Sequence, residues 1–397
     1  MNRNREGIQT SITVTLVVGL TFALRIAACR ESFWLDELHS VWAISDGFGT
    51  VSERAGAGNQ TASYFQLLWI WGRIFGSGEV ALRASSVLVS CIAAAFLVVG
   101  VKKQSGSLAG GLVAGALFAI EPNSVFFGSE LRPYAWVMLC GVLSLWSMMA
   151  SVRSLEGNVE RSHQGWHRFW MMFWLCAASL LHPTSLGTLG WFLPIVFLIP
   201  LLKRRLRWGR WDAFAFALLA VTGALLLRSS LTHAWQQREQ WNSFAAARSI
   251  EQLLTIWQYV PLVVWPLVIA AAGYTCSSLQ RVKIENEAND KPRGLGLLPM
   301  LVALAATTGF FIASYAEIVP LWHRRYFIVA VPLMAWSVGE LIGWTNTVLR
   351  RNFLLGAALT CVCLIGQTFA FYRVGIGPSG WPIWRYENWR DAVTLVA

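Results

Sequence analysis

The stretch FWLDELHSVW, residues 33–42, follows the first long apolar run of the chain and places two carboxylates, Asp36 and Glu37, side by side. Residues 8–28 are long enough to cross the hydrocarbon core of a bilayer, so we expect the acidic pair at the water interface. Carboxylates in such a place either take part in chemistry or simply end a membrane helix. The motif alone leaves both interpretations open.

The composition indicates a polytopic membrane protein. Of 397 residues, 55% are hydrophobic and 13% are charged, and the mean hydropathy is +0.50, far from the average soluble domain. We predict an all-α fold of about eleven membrane-spanning helices. Their approximate bounds are 8–28, 84–101, 108–121, 133–151, 169–182, 185–202, 212–229, 259–279, 297–316, 327–344 and 354–372. The first run has no small-residue cleavage site and is predicted to be an uncleaved anchor.

The net charge of +11 is explained by topology. With a cytoplasmic N-terminus, the cytoplasmic loops hold 18 of the 32 basic residues, as the positive-inside rule requires. The loop with the acidic pair and the C-terminus are then outside. Membrane lipids are the expected surroundings, and nucleic acid is not an expected partner.

The first external loop, residues 31–80, is predicted to be structured. Phe65, Leu68, Trp69 and Gly72 recur at helical spacing, which predicts a helix lying in the interface above the acidic pair. A short helical hairpin that only packs is the alternative.

Three further external turns carry candidate binding residues. They are Glu130, Arg132 and Tyr134; His182; and His323, Arg324 and Arg325. An arginine can hold a phosphate through two charge-assisted hydrogen bonds, and arginines on the outer face run against the positive-inside bias. The alternatives are an ion pair that only packs, a histidine buried at a helix break, and arginines that snorkel to lipid headgroups.

Other kinds of site have little support in the sequence. The seven cysteines contain no CxxC pair, so no disulfide framework or zinc site is predicted. His39 stands two residues after Glu37, which is a weak ligand signal, so a divalent metal is left open. ATP-driven transport and nicotinamide chemistry lack their glycine-rich motifs.

The order of features along the chain carries a family resemblance. The features are Arg25, WLDE at 34–37, the interfacial helix, GSGEVALRASSV at 76–87, SELRPYAW at 129–136 and HRRYFIVAVP at 323–332. The chain resembles the GT-C glycosyltransferases, in particular the bacterial members related to protein O-mannosyltransferases and to the aminoarabinose transferase of lipid A. The resemblance extends from about residue 20 to residue 391, and WLDE is its most specific element.

The resemblance implies an enzyme of the bacterial inner or plasma membrane that transfers a sugar from a polyprenyl-phosphate donor to an external lipid-linked glycan or protein hydroxyl. Asp36 would be the base that activates the acceptor, with Glu37 beside it. We predict that the donor phosphate binds Arg324 or Arg325, helped by Arg132, and that the sugar is transferred with inversion. The residues predicted to line the substrate are Glu130, Tyr134, His182 and His323.

Two departures from relatives concern the acceptor side, or the entry of the interfacial helix, and the domain assignment. NQTASYFQLL, residues 59–68, stands where many relatives have a His-Pro-Pro-Leu-Tyr-like stretch. We expect residues 1–372 to form the transmembrane catalytic domain and 373–397 a short external tail. The tail is either the start of a truncated soluble domain or the end of a minimal form of the enzyme. The alternative function is a transporter or flippase of lipid-linked sugars, which would place its charges near the bilayer midplane at broken helices.

Overall fold

The computed structural model describes residues 2–154, 161–228, 232–236, 238–241, 245–256 and 295–348, and every regular element in these ranges is helical. The α-helices are α1 (Asn2–Ile26), α2 (Leu35–Ile44), α3 (Val51–Ala57), α4 (Ala62–Phe75), α5 (Glu79–Ser105), α6 (Leu108–Ile120), α7 (Pro122–Ser129), α8 (Tyr134–Ser154), α9 (Arg161–Leu181), α10 (Ser185–Leu189), α11 (Ile199–Leu202), α12 (Arg210–Leu226), α13 (Thr232–Gln236), α14 (Ile250–Thr255), α15 (Leu298–Tyr315) and α16 (Ala330–Val348). The prediction of a helical membrane protein is confirmed.

Five stretches of the described chain are long and apolar enough to cross a membrane. They are Arg5–Arg30, Glu79–Ser105, Tyr134–Ser154, Ser185–Leu202 and Leu298–Tyr315, and the bent pair α6 and α7 makes a sixth if it is one span. The runs predicted at 169–182, 212–229 and 327–344 also form helices, α9, α12 and α16. The predicted spans 259–279 and 354–372 and the tail 373–397 lie outside the described residues, so the count of eleven stays a prediction.

The predicted span 108–121 is short because the chain bends by 63° between α6 and α7. Pro122 opens α7 at a position where proline is tolerated, and the Glu121 carboxylate accepts the Ser124 N–H at 2.6 Å. Arg25 of α1 donates to the Ala119 carbonyl at 3.0 Å and to the Ser124 hydroxyl at 2.8 Å. The backbone groups freed by the bend are therefore satisfied inside the protein, as an apolar environment requires.

Close backbone contact joins α6 to α16. A Cβ at Gly110 would lie 2.5 Å from the Gly339 carbonyl oxygen, so larger residues would separate the two helices. Small residues at helix crossings are the usual means of tight packing in membranes. Helix α16 follows directly on the 3₁₀ turn Arg324–Phe327, so this contact holds that turn close to the rest of the bundle.

Three of the segments predicted to be cytoplasmic, the N-terminal residues and the chain after α5 and after α8, lie at one end of the described bundle. Lys102 at the end of α5 lies 3.0 Å from Glu6 of α1, and Arg153 at the end of α8 donates to the Gln104 carbonyl. Because α1 and α8 run antiparallel to α5, the acidic pair and the start of α8 lie at the opposite end. Which end faces the cytoplasm stays a prediction.

Candidate active site

Helix geometry separates the two neighbouring carboxylates. Helix α2 begins at Leu35, and Asp36 and Glu37 occupy its first turn, where the Glu37 carboxylate accepts the Trp34 N–H at 3.3 Å. Negative side chains are stabilised in this turn by the helix dipole. Successive residues of an α-helix point about 100° apart, so Asp36 and Glu37 face different surroundings.

Glu37 faces the protein interior, where it pairs with Arg83 of α5. Both side chains are 0% exposed. The guanidinium binds the carboxylate in bidentate fashion: Nε donates to Oε1 at 2.9 Å and Nη2 donates to Oε2. The Leu131 N–H also donates to Oε1, at 2.8 Å. A buried charge needs this degree of satisfaction to be tolerated. Glu37 is not among the residues that line the cavity described below, and the catalytic role predicted for it stays a prediction.

Arg83 is a residue for which the sequence motif predicted no role. Besides Glu37, its guanidinium donates to the carbonyl oxygens of Glu31 at 2.5 Å and Ser32 at 2.9 Å. It thereby ties the end of α1 to the start of α2. The available signal was an arginine directly before the apolar run 84–101, since ionisable residues next to a membrane span are often paired or functional.

Asp36 faces a cavity of about 1050 Å³. Leu38, Trp42, Leu186 and Phe310 are among its apolar walls. The titratable groups that line it are Asp36, His39, Arg132, Tyr134, His182, Arg325 and Tyr326. The structure therefore brings together five of the predicted site residues, Asp36, Arg132, Tyr134, His182 and Arg325.

Two arginines approach one oxygen of the Asp36 carboxylate. Arg325 Nη1 lies 3.4 Å from Asp36 Oδ2, and Arg132 Nη2 lies 3.9 Å from the same atom. The Asp36 side chain is 33% exposed, whereas the side chains of Arg132 and Arg325 are 5% and 18% exposed. Two guanidinium groups and one carboxylate leave a net charge of +1, which favours an anion.

Arg132 is positioned by the same loop that holds Glu37. Ser40 Oγ of α2 donates to the Leu131 carbonyl at 2.9 Å, so the loop is attached to α2 through both its N–H and its carbonyl. Arg132 Nη1 then donates to the Asp36 carbonyl at 3.2 Å. Residues on the buried face of α2, Glu37 and Ser40, hold the loop that carries Arg132. This loop places the Arg132 guanidinium next to Asp36 on the cavity face.

Burial and the arginines keep the nearby histidines neutral. Burial, followed by the charges of Arg325 and Arg132, lowers the pKa of His182 to about 3, and its Nδ1 lies 2.7 Å from Thr184 Oγ1. Burial lowers the pKa of His323 to about 4, again with help from Arg325. The positive charge of the site at neutral pH therefore comes from the arginines.

Three predicted residues are not among those that line the cavity. Arg324 is exposed and donates to Asn123 Oδ1 at 3.3 Å, whereas its neighbour Arg325 lines the cavity. Glu130 is fully buried. His323 Nδ1 accepts the backbone N–H of Arg325 at 3.4 Å, so His323 contacts a cavity-lining residue without lining the cavity itself.

The segment before the predicted interfacial helix forms another wall. The predicted helix is present as α4, in which Phe65 and Leu68 are buried, and its place in the membrane interface stays a prediction. The preceding residues 58–61 line the cavity. A Cβ at Gly58 would overlap the His39 ring, so glycine permits this close approach. In the described ranges, no group of three or more His, Cys, Asp and Glu residues is placed to hold a metal ion.

Comparison with known proteins shows similarity of structure. No protein-family model and no curated protein sequence matches the chain. The ArnT of Cupriavidus metallidurans bound to undecaprenyl phosphate is similar with a TM-score of 0.56 and 13% identity, over 92% of this chain and 63% of that one. This chain thus spans less than two thirds of the length of that neighbour.

Two further solved structures are similar at lower TM-scores. The same ArnT in the apo state has a TM-score of 0.48 and 14% identity, over 89% of this chain and 61% of its own. The oligosaccharyltransferase of Archaeoglobus fulgidus, in complex with Zn and sulfate, has 0.43 and 13%, over 96% and 55%. From the structure with the TM-score of 0.56 and from its own apolar helices, we conclude that this chain is an integral membrane protein with the fold of the GT-C glycosyltransferases, as its sequence predicted.

Proposed function

We propose that this protein is a membrane glycosyltransferase that moves a sugar from a polyprenyl-phosphate donor to a hydroxyl group of an extracytoplasmic acceptor. The observation that carries the proposal is the charged end of the cavity, where Arg132 and Arg325 face Asp36 between apolar walls. An amphiphile with an anionic head and a hydrocarbon tail matches this arrangement. The ArnT neighbour binds undecaprenyl phosphate, which supports the same donor class here.

The two arginines would hold the donor phosphate. Their side chains are mostly buried, and hydrogen bonds between ions strengthen when water is excluded. As the donor breaks down, negative charge grows on the phosphate oxygen that leaves the sugar. Arginines already in place stabilise that charge without rearrangement, which is the principle of electrostatic catalysis.

Asp36 would serve as the general base. The acceptor oxygen attacks the anomeric carbon, the bond from that carbon to the phosphate oxygen breaks, and the hydroxyl proton passes to the Asp36 carboxylate. The products are the glycosylated acceptor and polyprenyl phosphate. A single displacement of this kind inverts the anomeric configuration, and base catalysis contributes typically about 10² to 10⁴ in rate. The acceptor is a lipid-linked glycan or a protein hydroxyl.

Reconstitution tests the proposal directly. The protein is placed in liposomes with undecaprenyl-phosphate sugars labelled in the sugar, together with lipid-linked glycan and peptide acceptors. We expect the label to appear in a new glycosidic linkage, with undecaprenyl phosphate released in equal amount. No new linkage with any of a broad set of donors and acceptors would contradict the proposal.

The same experiment separates a transferase from a flippase of lipid-linked sugars. A flippase moves the label across the bilayer and leaves its linkage unchanged. Transporters commonly bind near the midplane at broken helices, whereas Asp36 lies in the first turn of a helix outside the five described spans and Arg132 lies just before α8. This placement favours the transferase.

A further inference from the structure

We propose that His39 and Trp42 bind the acceptor substrate beside Asp36, and that this substrate is a carbohydrate. The inference rests on the proposed function and specifies its second substrate. It follows from the place of both side chains on helix α2, from the tautomer of the His39 ring and from the exposed indole of Trp42.

His39 lies one helical turn after Asp36 on α2, and both side chains line the cavity. Side chains three positions apart on an α-helix are neighbours on its surface, with about 5 to 6 Å between their Cβ atoms. Asp36 is the proposed base, so the attacking hydroxyl of the acceptor substrate must lie beside it. The part of the substrate next to that hydroxyl can therefore reach His39.

A contact with helix α3 fixes which nitrogen of the His39 ring carries the proton. Nε2 lies 3.3 Å from the Arg54 carbonyl oxygen, and a carbonyl can only accept, so Nε2 is the donor. Burial lowers the pKa of His39, and the charge of Arg132 adds to this effect, so the ring is neutral at pH 7 and Nδ1 keeps its lone pair. Nδ1 makes no hydrogen bond within the described part of the chain and is not fully enclosed by it. It is open to a ligand.

An unprotonated ring nitrogen selects a ligand that donates a hydrogen bond. It repels the oxygens of the donor phosphate, which carry no proton, and binds an O–H or N–H group. The attacking hydroxyl has one proton, and that proton passes to Asp36, so His39 accepts from a second group beside it. Sugars carry hydroxyls on neighbouring ring carbons. One hydroxyl can face Asp36 while the next donates to His39.

Trp42 adds an apolar surface one turn further along α2. Its ring lies 5.7 Å from the His39 ring, centroid to centroid, and the residue lines the cavity and is 45% exposed. A sugar has C–H groups on its faces and hydroxyls at its edges, so it can pack on the indole while an edge donates to Nδ1. The Arg54 guanidinium lies 5.0 Å from the indole centroid and donates to the Trp42 carbonyl at 2.8 Å. Arg54 therefore orients both residues of the subsite.

Two amide substitutions separate binding by His39 from packing. The amide of glutamine reaches to about the position of Nε2, and that of asparagine to about the position of Nδ1. His39→Gln therefore keeps a donor for the Arg54 carbonyl and loses the acceptor in the cavity, whereas His39→Asn does the reverse.

The two variants are compared in the liposome assay with a lipid-linked glycan. We expect His39→Gln to raise the KM for the glycan about three- to tenfold, the range for one neutral hydrogen bond, and His39→Asn to raise it less. Equilibrium binding of undecaprenyl phosphate should be unchanged in both. A histidine that only packs against Arg54 would give the opposite order of KM values and would overturn the inference.

Deoxy analogues of the glycan identify the group that His39 binds. Each analogue lacks one hydroxyl next to the site of transfer. For one of them the KM of the wild type should rise about three- to tenfold, whereas His39→Gln should use this analogue and the parent glycan equally well, because the hydrogen bond is already lost. If His39→Gln loses as much as the wild type with every analogue, His39 binds none of these hydroxyls and the inference is wrong.

Trp42 is tested against a matched tryptophan of the same loop. Trp42→Ala should raise the KM for the glycan about three- to tenfold, and Trp42→Phe should restore most of the affinity. Trp69→Ala is the control, since the Trp69 indole also lies near an arginine, Arg73 at 4.9 Å, but does not line the cavity. Equal increases for the two alanine variants would mean that both indoles only hold the loop in place, and would contradict a sugar-binding role for Trp42.

The outcomes separate this inference from the function on which it rests. If the wild type glycosylates a peptide and no glycan, or if His39→Gln weakens donor binding and leaves the KM for the glycan unchanged, the carbohydrate subsite is wrong and the glycosyltransferase proposal stands. If no donor and acceptor pair gives a new linkage, the proposed function and the inference are both overturned.

Discussion

The two sides of helix α2 use the same chemistry for different purposes. On one side, Glu37 and Arg83 form a bidentate pair from which water is excluded. On the other, Asp36 faces Arg325 and Arg132 at 3.4 and 3.9 Å across a cavity, with a third of its side chain exposed. Each carboxylate has arginine neighbours, but the first set is closed and the second is open.

The difference shows that spacing and access determine what an ion pair can do. A closed pair satisfies its own hydrogen bonds and has none left for a ligand, so it can only position the backbone around it. An open set keeps donors and acceptors available at distances that a ligand can shorten. Asp36 and Glu37 are adjacent in sequence, and each can be removed without altering the other chemically, so the comparison can be tested.

The largest expected effect comes from Asp36→Asn on the open side. Transfer should fall by about 10² to 10⁴, the typical contribution of a general base, while donor binding is retained because both arginines remain. Single-turnover transfer and equilibrium donor binding, measured on the same preparation, provide the two values. Turnover close to that of the wild-type protein would remove Asp36 from the proposed mechanism.

The next effect concerns Glu37→Gln on the closed side, which leaves Arg83 buried without its ion partner. Breaking a buried pair costs about 3 to 5 kcal/mol of folding free energy, so the thermal midpoint in detergent should fall clearly. Asp36→Asn is the control and should keep its midpoint. Equal midpoints for the two variants would mean that the closed pair contributes little to the fold.

A smaller effect should distinguish the two neighbouring arginines of the 3₁₀ turn. Arg325 lines the cavity, so Arg325→Ala should weaken binding of undecaprenyl phosphate about 10- to 100-fold, the range for a hydrogen bond to a charged group. Arg324→Ala is the matched control and should bind normally. Lysine at 325 should restore only part of the affinity, because it lacks the planar pair of donors. Similar losses for both alanine variants would mean that these arginines interact with lipid headgroups and that neither forms a phosphate site in the cavity.

The smallest effect is a pH dependence limited to the open side. The unfolded chain binds a proton at a histidine near pH 6.5, but folded His182 has a pKa of about 3. Between these values the unfolded state holds more protons, so stability is lost as the pH falls through this window, by at most about 1.4 kcal/mol per pH unit. Thermal midpoints between pH 7 and pH 4.5 should therefore fall more for the wild type than for His182→Gln. Parallel curves would show that His182 is not held neutral by its surroundings.

Several residues that the sequence singled out lie together in the structure. The WLDE motif after an apolar run indicated carboxylates at an interface. Arginines in predicted external turns, against the positive-inside bias, indicated an anionic partner, because charges are expensive near lipid. Five of the residues named from the sequence line one cavity: Asp36, Arg132, Tyr134, His182 and Arg325.

Sequence proximity could not separate residues that helical geometry turns apart. Asp36 and Glu37 were assigned to one site, and Arg324 could not be distinguished from Arg325, because which of two neighbours faces a cavity depends on how the element packs. The partner of Glu37 could not be predicted either, since Arg83 lies 46 positions away. The bend at Pro122 shortened a predicted span for a local reason that the apolar pattern alone does not reveal.

Helix α2 has one further consequence, which concerns how such a protein can evolve. Its buried residues are Glu37, Ser40, Ala43 and Ile44, and its cavity-lining residues are Leu35, Asp36, Leu38, His39 and Trp42. The two sets share no member. Substitutions on the cavity face can alter which molecule fits without disturbing the buried residues, including the Glu37–Arg83 pair, that hold α2 in the bundle. A one-residue insertion or deletion within the first turn would instead rotate every later position by about 100°. Selection in this segment should therefore tolerate exchanges of residues and reject changes of length.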